Sequence, residues 1–181
     1  GDRSATREAL RIADDELLLL QPTRALPRKG VPRGIELAAA LGATYWLTAA
    51  AEDGYEDELA ALIAAAPAPV LRGQGPGSID DAYAAADAIV LPSTWEGFGN
   101  PIVESMAHRR PLALSHYPVA EEVRALGFRF FEVDDPGSLA SYLSAPDAAL
   151  LDENLALARQ HFDIRGLPGA IDEVLISLGL S

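Results

Sequence analysis

Two glutamates lie on either side of a predicted helix start within residues 91–105, LPSTWEGFGNPIVES. Asn100 suits the N-cap of this helix, and Pro101 suits its first position, where the missing N–H of proline costs nothing. Gly97 and Gly99 precede the helix, and glycine allows positive φ and close approach of a ligand to the backbone. The loop can therefore contact a ligand through its main chain.

The chemistry of this segment combines amide donors with carboxylate acceptors. Free N–H groups in the first turn of a helix carry partial positive charge and suit phosphate or sugar oxygens. Glu96 in the loop and Glu104 one turn into the helix can accept hydrogen bonds from hydroxyls. A nucleotide sugar has both an anionic and a polyhydroxyl part and matches such a site. On spacing alone, an ordinary capped helix with two solvated glutamates is the simpler interpretation.

Composition limits the class of protein. The 181 residues, 49% of them hydrophobic, fit one domain with a substantial core. A net charge of −13 argues against nucleic acid or an anionic membrane as partner, so any phosphate site must be local. Cysteine is absent, which excludes disulfides and thiol chemistry. The longest apolar runs, residues 17–20 and 38–41, are too short to span a bilayer.

Strand and helix patterns alternate along the chain. Apolar runs bounded by turn residues predict strands at residues 17–20, 43–48, 69–72, 88–91, 111–115 and 128–133. Helical patterns cover residues 4–12, 34–41, 57–66 and 79–86, a segment from Pro101, and residues 119–126, 138–143, 147–161 and 170–178. This alternation predicts an α/β fold, a doubly wound, Rossmann-like parallel sheet with helices on both faces.

A basic loop at residues 23–33 follows the first predicted strand. It contains Arg24, Arg28, Lys29 and Arg33, a dense cluster for so acidic a protein. The ordinary interpretation is a solvated loop. However, ligands of open α/β sheets bind outside the carboxyl ends of the strands, where the Glu96 loop is also expected. The cluster is therefore a candidate phosphate site.

Other motifs are weaker. Residues 72–78 are glycine-rich but lack the lysine of a P-loop and the full dinucleotide fingerprint. The three histidines, His108, His116 and His161, lie in separate segments without the ligand spacing of a metal site. A glycosidase pair of carboxylates needs both groups to flank one bond in a cleft, and it ranks third.

The segment around the two glutamates resembles a known signature. Pro92-Ser93, the run Glu96-Gly97-Phe98-Gly99 and the seven residues between Glu96 and Glu104 resemble the donor site of retaining GT-B glycosyltransferases, the large family 4 or group 1 class. Arg-x-x-x-Arg-Lys-Gly at residues 24–30 resembles the phosphate-binding loop of that family. Thr23 and Tyr117-Pro118 depart from it, since glycines are common at these positions in the family.

The resemblance assigns roles to individual residues. Arg24 and Lys29 would hold the donor diphosphate and stabilise its charge as it departs, where other enzymes use a metal. Glu96 would accept hydrogen bonds from the transferred sugar, and Glu104 from the ribose. Backbone groups complete the implied site: the amides of Phe98, Gly99 and Asn100 for sugar or phosphate oxygens, and Leu71, Arg72 and Gly73 for the nucleobase. Trp95 is expected in the core.

The resemblance also implies a domain organisation and a reaction. Residues 1–181 would form a single donor-binding C-terminal domain, with the acceptor contacted by an N-terminal domain outside this chain. The implied reaction is metal-free, retaining transfer of a hexose from a UDP-sugar or GDP-sugar, in the cytoplasm, with at most peripheral membrane contact through the missing domain. The isolated chain would be inactive. The alternatives are a non-catalytic sugar-nucleotide binding domain and the C-domain of a GT-B nucleotide-sugar epimerase.

Overall fold

The structure, a computed structural model, describes residues 1–52, 54–73, 75 and 77–178. It contains a six-stranded sheet in the order β3-β2-β1-β4-β5-β6, and every neighbouring pair is parallel. The strands are β1 (Leu18–Gln21), β2 (Thr44–Leu47), β3 (Val70–Arg72), β4 (Ala88–Leu91), β5 (Leu112–Leu114) and β6 (Phe131–Glu132). The predicted fold class is confirmed.

Helices connect and cover the strands. They are α1 (Arg3–Leu10), α2 (Val31–Leu41), α3 (Glu56–Ala64), α4 (Ile79–Ala85), α5 (Asn100–Ala107), α6 (Pro118–Ala125), α7 (Pro136–Ser144), α8 (Ala148–His161) and α9 (Leu167–Ser177), with 3₁₀ turns at Pro27–Lys29 and Ile164–Gly166. None of the helices in the described part of the chain has the length and apolar character needed to cross a membrane.

The two faces of the sheet have separate cores. Successive side chains of a strand point to opposite faces, and in β1 Leu18 and Leu20 join one cluster while Leu19 joins the other. The first cluster includes residues of α4, α5, α6 and α8, and the second includes residues of α2, α3 and α7. Coverage on both faces explains why β1 and β4 are buried along their whole length and why residues 17–20 and 88–91 are continuous apolar runs.

The order of strands reverses at the centre of the sheet. β1 pairs with β2 on one side and with β4 on the other. The connections that leave the carboxyl ends of β1 and β4 therefore run in opposite directions and leave a crevice between them. The fold brings residues 22–30 and residues 92–104 to this one place.

An arginine network lies at the other end of these two strands. Arg7, 1% exposed, donates hydrogen bonds to the carbonyls of Ala85 (2.9 Å), Ala13 (2.5 Å) and Glu16, and its Nη1 lies 3.3 Å from Asp87 Oδ2. The same Asp87 oxygen accepts the Leu18 N–H at 2.8 Å. Arg7 thus ties α1 to the amino ends of β1 and β4. The sequence pattern did not predict this network.

Candidate functional site

A cleft of about 540 Å³ opens at the carboxyl ends of β1 and β4. Seven of the predicted site residues line it: Arg24, Lys29, Glu96, Phe98, Gly99, Asn100 and Glu104. Segments about seventy positions apart in the sequence thus meet where the sheet topology predicts a ligand site.

A buried ion pair forms the floor of the cleft. Lys29 Nζ lies 2.5 Å from Glu96 Oε1, and the side chains are 12% and 9% exposed. Ser93, fully buried, donates its hydroxyl to the same oxygen at 2.6 Å. Arg28 Nη1 lies 3.4 Å from the other oxygen, Oε2. Glu96 is therefore held from one side by strong donors, while Oε2 keeps acceptor capacity.

A second ion pair lies at the mouth of the cleft. Arg24 Nη1 donates to both Glu52 oxygens, at 2.6 and 2.8 Å, and the arginine side chain is 66% exposed. Ala25 and Ala51 form an isolated parallel bridge that holds the two loops together. The basic loop was expected to be exposed, and this holds for Arg24 but not for Lys29.

The remaining arginine of the basic loop does not line the cleft. Arg33 lies in α2, donates to Ser115 Oγ at 2.8 Å and forms an ion pair with Asp134 at 2.6 Å. The loop in the structure is shorter than the predicted loop, residues 23–33. Gly30, in the left-handed region (φ 64°), ends the 3₁₀ turn, and α2 begins at Val31.

Gly30 sets the distance between the two loops. A Cβ at this position would lie 2.1 Å from the Pro92 carbonyl oxygen. Beside it, the Thr94 N–H donates to the Arg28 carbonyl at 2.9 Å. Only glycine permits both the positive φ and this approach of the basic loop to the Glu96 loop.

Replacing Gly30 by alanine is therefore expected to lower the free energy of unfolding by about 2–4 kcal/mol, the sum of left-handed backbone strain and a steric clash. Gly42→Ala is the matched control, because Gly42 has the same φ of 64° but a Cβ there meets nothing within 4 Å. Its cost should be near 1 kcal/mol. Urea denaturation measures both, and equal losses would contradict a role for the contact with Pro92.

The start of α5 differs from the sequence prediction by one residue. Gly99, with φ 81°, occupies the N-cap position, and Asn100 is the first helical residue, with no side-chain capping bond. Asn100 was predicted as the N-cap, which is wrong, because the turn needs the positive φ of glycine. In the described chain, no loop or cap hydrogen bond uses the amides of Phe98, Gly99 or Asn100. The three residues line the cleft, and free amides at a helix start suit an anion.

The Glu104 side chain is oriented by a hydrogen bond from a buried tyrosine. Tyr83, fully buried, donates its hydroxyl to Glu104 Oε2 at 2.7 Å and stacks on the His108 ring at a centroid distance of 4.6 Å. Burial, followed by this hydrogen bond, raises the pKa of Tyr83 well above its usual value, so the phenol remains a donor. One Glu104 oxygen is thereby fixed, and the other is available to a ligand hydroxyl.

The residues predicted to contact the nucleobase through backbone groups, Leu71 to Gly73, lie beside the main cleft rather than in its lining. Arg72 and Gly73 line a separate hollow of about 410 Å³, which shares Ala49 with the main cleft. Arg72 forms two hydrogen bonds with Glu56, at 2.8 and 3.0 Å. The Leu71 side chain instead packs against the core. A ligand that extends from the cleft past Ala49 would reach the Arg72 and Gly73 region.

Trp95 was predicted in the core and is in fact 56% exposed. The preceding Ser93 takes the inward position of this loop, fully buried under Glu96. Arg28 lies over the indole ring at 5.6 Å from its centroid and donates to the Trp95 carbonyl at 3.1 Å. Residues of an irregular loop do not alternate between faces, so hydrophobicity alone misplaced Trp95.

Sequence reasoning missed the partners of the predicted residues. Glu52, Tyr83 and the role of Ser93 had no motif of their own. A positional signal existed for Glu52 and Ser93, since each closely follows a strand end at the ligand edge of the sheet. Among the described residues, no group of three or more histidine, aspartate or glutamate side chains is arranged to hold a metal ion.

Comparison with known proteins identifies the family. Residues 2–158 match the family described as glycosyl transferases, group 1. The chain belongs to this family. Its structural neighbours are GT-B glycosyltransferases, as the donor-site signature implied.

Individual relatives of this group 1 chain cover it to different extents. The O-antigen chain mannosyltransferase RfbU of Salmonella typhimurium is 39% identical over 85 residues, 45% of this chain and 24% of that protein. Anabaena HepE, crystallised in complex with UDP-glucose, is 25% identical with a TM-score of 0.79, over 96% of this chain and 52% of HepE. The C-terminal domain of LpcC from Francisella tularensis shares the fold, at 18% identity and a TM-score of 0.72, over 90% of this chain and 94% of that domain. The chain thus spans about half the length of HepE.

Proposed function

We propose that the chain is the donor-binding domain of a retaining hexosyltransferase that uses a UDP-sugar or GDP-sugar. The observation that carries this proposal is the cleft at the strand switch point, where cations and free helix-start amides face two oriented carboxylates. The crystallised complex of HepE with UDP-glucose and the mannosyltransferase activity in the name of RfbU support a hexose donor.

The diphosphate would lie between Arg24, Lys29 and the amides of residues 98–100. Arg24 can fork onto two phosphate oxygens, whereas Lys29 supplies a compact charge. Both would have to exchange carboxylate partners, Glu52 and Glu96, for phosphate oxygens. In transfer, these donors would stabilise the charge that grows on the departing diphosphate, without a bound metal.

The rest of the donor would extend in two directions from the diphosphate. Glu104, fixed by Tyr83, would accept the ribose hydroxyls, and the base would reach past Ala49 towards Arg72 and Gly73. Glu96 would accept hydrogen bonds from the transferred sugar. The two carboxylates then recognise different parts of one ligand.

A second domain would supply the acceptor site. We propose that it precedes this domain in the whole protein, which would work in the cytoplasm and approach a membrane at most peripherally through that domain. α9 exposes Ile171, Val174 and Leu175, and the exposed Leu178 follows at the same helical spacing, a face suited to packing on it. Alone, the chain would bind nucleotide with roughly micromolar to millimolar affinity and transfer no sugar, because it can neither exclude water nor position an acceptor.

Two glutamate variants test the assignment by calorimetry with UDP, GDP, UDP-glucose and GDP-mannose. Glu104→Ala is expected to weaken the nucleotide and its sugar alike, by about 1.5–3 kcal/mol, because both ligands contain the ribose. Glu96→Gln should weaken only the nucleotide sugar, since it replaces the charged acceptor of the sugar hydroxyl by a weaker neutral one and frees Lys29 for phosphate. Glu153→Ala is the control, an exposed acid paired with Arg129 outside the cleft.

Equal losses on nucleotide and nucleotide sugar in both variants would contradict the division of roles. Absence of binding by the unaltered chain to all four ligands would overturn the donor-site proposal. A transfer assay that compares this chain with the full-length protein then separates the transferase from a non-catalytic binding domain, and analysis of the sugar product separates it from an epimerase.

A further inference from the structure

The hydroxyl of Tyr117 is a buried polar group that has no hydrogen-bond partner among the residues the structure describes. Tyr117 lies between β5 and α6, is 4% exposed, and belongs to the core cluster that includes Ile102 and Ala120. In the described part of the chain, no hydrogen-bonding group lies within reach of its oxygen Oη. Phenylalanine would fill the same space without the free-energy cost of an unpaired hydroxyl. The hydroxyl therefore needs a hydrogen-bond partner that its neighbours in this structure do not supply.

This hydroxyl lies directly beneath the turn that forms the cleft. A Cβ on Gly99 would be 3.7 Å from Tyr117 Oη, and Gly99 is also part of the lining of the cleft. Burial and then the negative charge of Glu96 raise the pKa of Tyr117. At neutral pH the phenol thus keeps its proton and lies within the field of that carboxylate.

One carboxylate oxygen of Glu96 can accept a further hydrogen bond. Its Oε1 accepts from Lys29 and Ser93, whereas its Oε2 has, among the described residues, only the 3.4 Å contact with Arg28. If a diphosphate draws the Lys29 ammonium away, the carboxylate loses its strongest partner and remains largely buried. A buried carboxylate in that position requires a replacement donor.

We propose that Tyr117 is a positioning residue for Glu96. When a nucleotide sugar engages Lys29, the turn at residues 96–99 shifts and the Tyr117 hydroxyl donates to the Glu96 carboxylate, which it then holds against the transferred sugar. Gly99 permits the close approach of turn and hydroxyl, since a side chain there would already contact Ile102 at 3.1 Å. This inference rests on the proposed role of Glu96 in sugar binding.

The test is Tyr117→Phe, measured by calorimetry with UDP and UDP-glucose, and with GDP and GDP-mannose. The variant should unfold in urea at the same or a higher denaturant concentration, because it removes an unpaired buried hydroxyl. Its affinity for the nucleotide should fall only about 2-fold, since the diphosphate alone already engages Lys29, while affinity for the nucleotide sugar should fall about 5- to 10-fold, since Glu96 must then also be held against the sugar. Tyr142→Phe is the control, since that hydroxyl donates to the Asp147 carbonyl away from the cleft.

A double-mutant cycle makes the test specific to Glu96. In the Glu96→Gln background, Tyr117→Phe should cause no further loss of nucleotide-sugar affinity, because the two side chains act as a unit. Additive losses, equal losses on nucleotide and nucleotide sugar, or no loss on either would overturn the inference. Each of those results requires binding by the unaltered chain, so failure of the inference is distinguishable from failure of the donor-site proposal.

Discussion

Replacing Arg7 by alanine should lower the free energy of unfolding by about 3–5 kcal/mol, the range for removing one partner from a buried charged network. Asp87 would lose a cation, and the carbonyls of Ala13, Glu16 and Ala85 would lose a donor. α1 would then be held to this end of the sheet by the partly exposed contacts of Arg3 and by apolar contacts. Urea denaturation followed by circular dichroism measures the loss.

Arg3→Ala is the matched control for this prediction. Arg3 also pairs with Asp87, at 2.7 Å, and donates to the Ala85 carbonyl at 2.8 Å, but its side chain is 34% exposed. Solvent can replace these contacts, so the loss should be about 1 kcal/mol or less. A loss of less than 1 kcal/mol for Arg7→Ala would show that the network does not stabilise the fold.

Lys29→Met should have two large and separable effects. It leaves Glu96 buried with only Ser93 and Arg28 as donors, so the free energy of unfolding should fall by about 3 kcal/mol, the lower end for a broken buried pair. On the proposed function, it also removes a charge-assisted phosphate contact, which should weaken UDP binding by about 1.5–3 kcal/mol. Urea denaturation and calorimetry measure the two effects on the same protein.

Two further variants separate stability from binding. Lys29→Met combined with Glu96→Gln removes both charges, so stability should recover while UDP binding stays weak. Arg24→Ala should weaken UDP binding without a comparable loss of stability, because its side chain is 66% exposed. Recovery of UDP binding in the double variant would contradict the assignment of Lys29 to the diphosphate.

The alternation of elements was predictable because both faces of the sheet are covered. Runs such as residues 88–91 are then apolar throughout, and β4 occupies those residues. β6 was predicted too long, from residue 128 to residue 133. The ring of Phe128 stacks on Phe162 instead of extending the strand, because an apolar run can equally pack on a neighbouring helix.

The cleft residues were predictable from local motifs, but their partners were not. Arg24 and Glu104 belong to recognisable segments, whereas their contacts with Glu52 and Tyr83 join residues 28 and 21 positions apart. Whether residues this far apart in the sequence come into contact depends on how loops and helices pack on the sheet. The same reason explains Trp95, whose exposure follows from the path of one irregular loop.

The pairing of cations with carboxylates in the cleft also determines how an anion approaches it. Opposite charges a few ångströms apart cancel each other's field at a distance. Within about 8 Å of the surface, the Debye length at physiological ionic strength, an incoming diphosphate therefore experiences mainly the net charge of −13, which repels it. Capture begins only at contact, by exchange of partners. Such a cleft leaves small anions in solution and retains a ligand large enough to occupy several of its contacts at once.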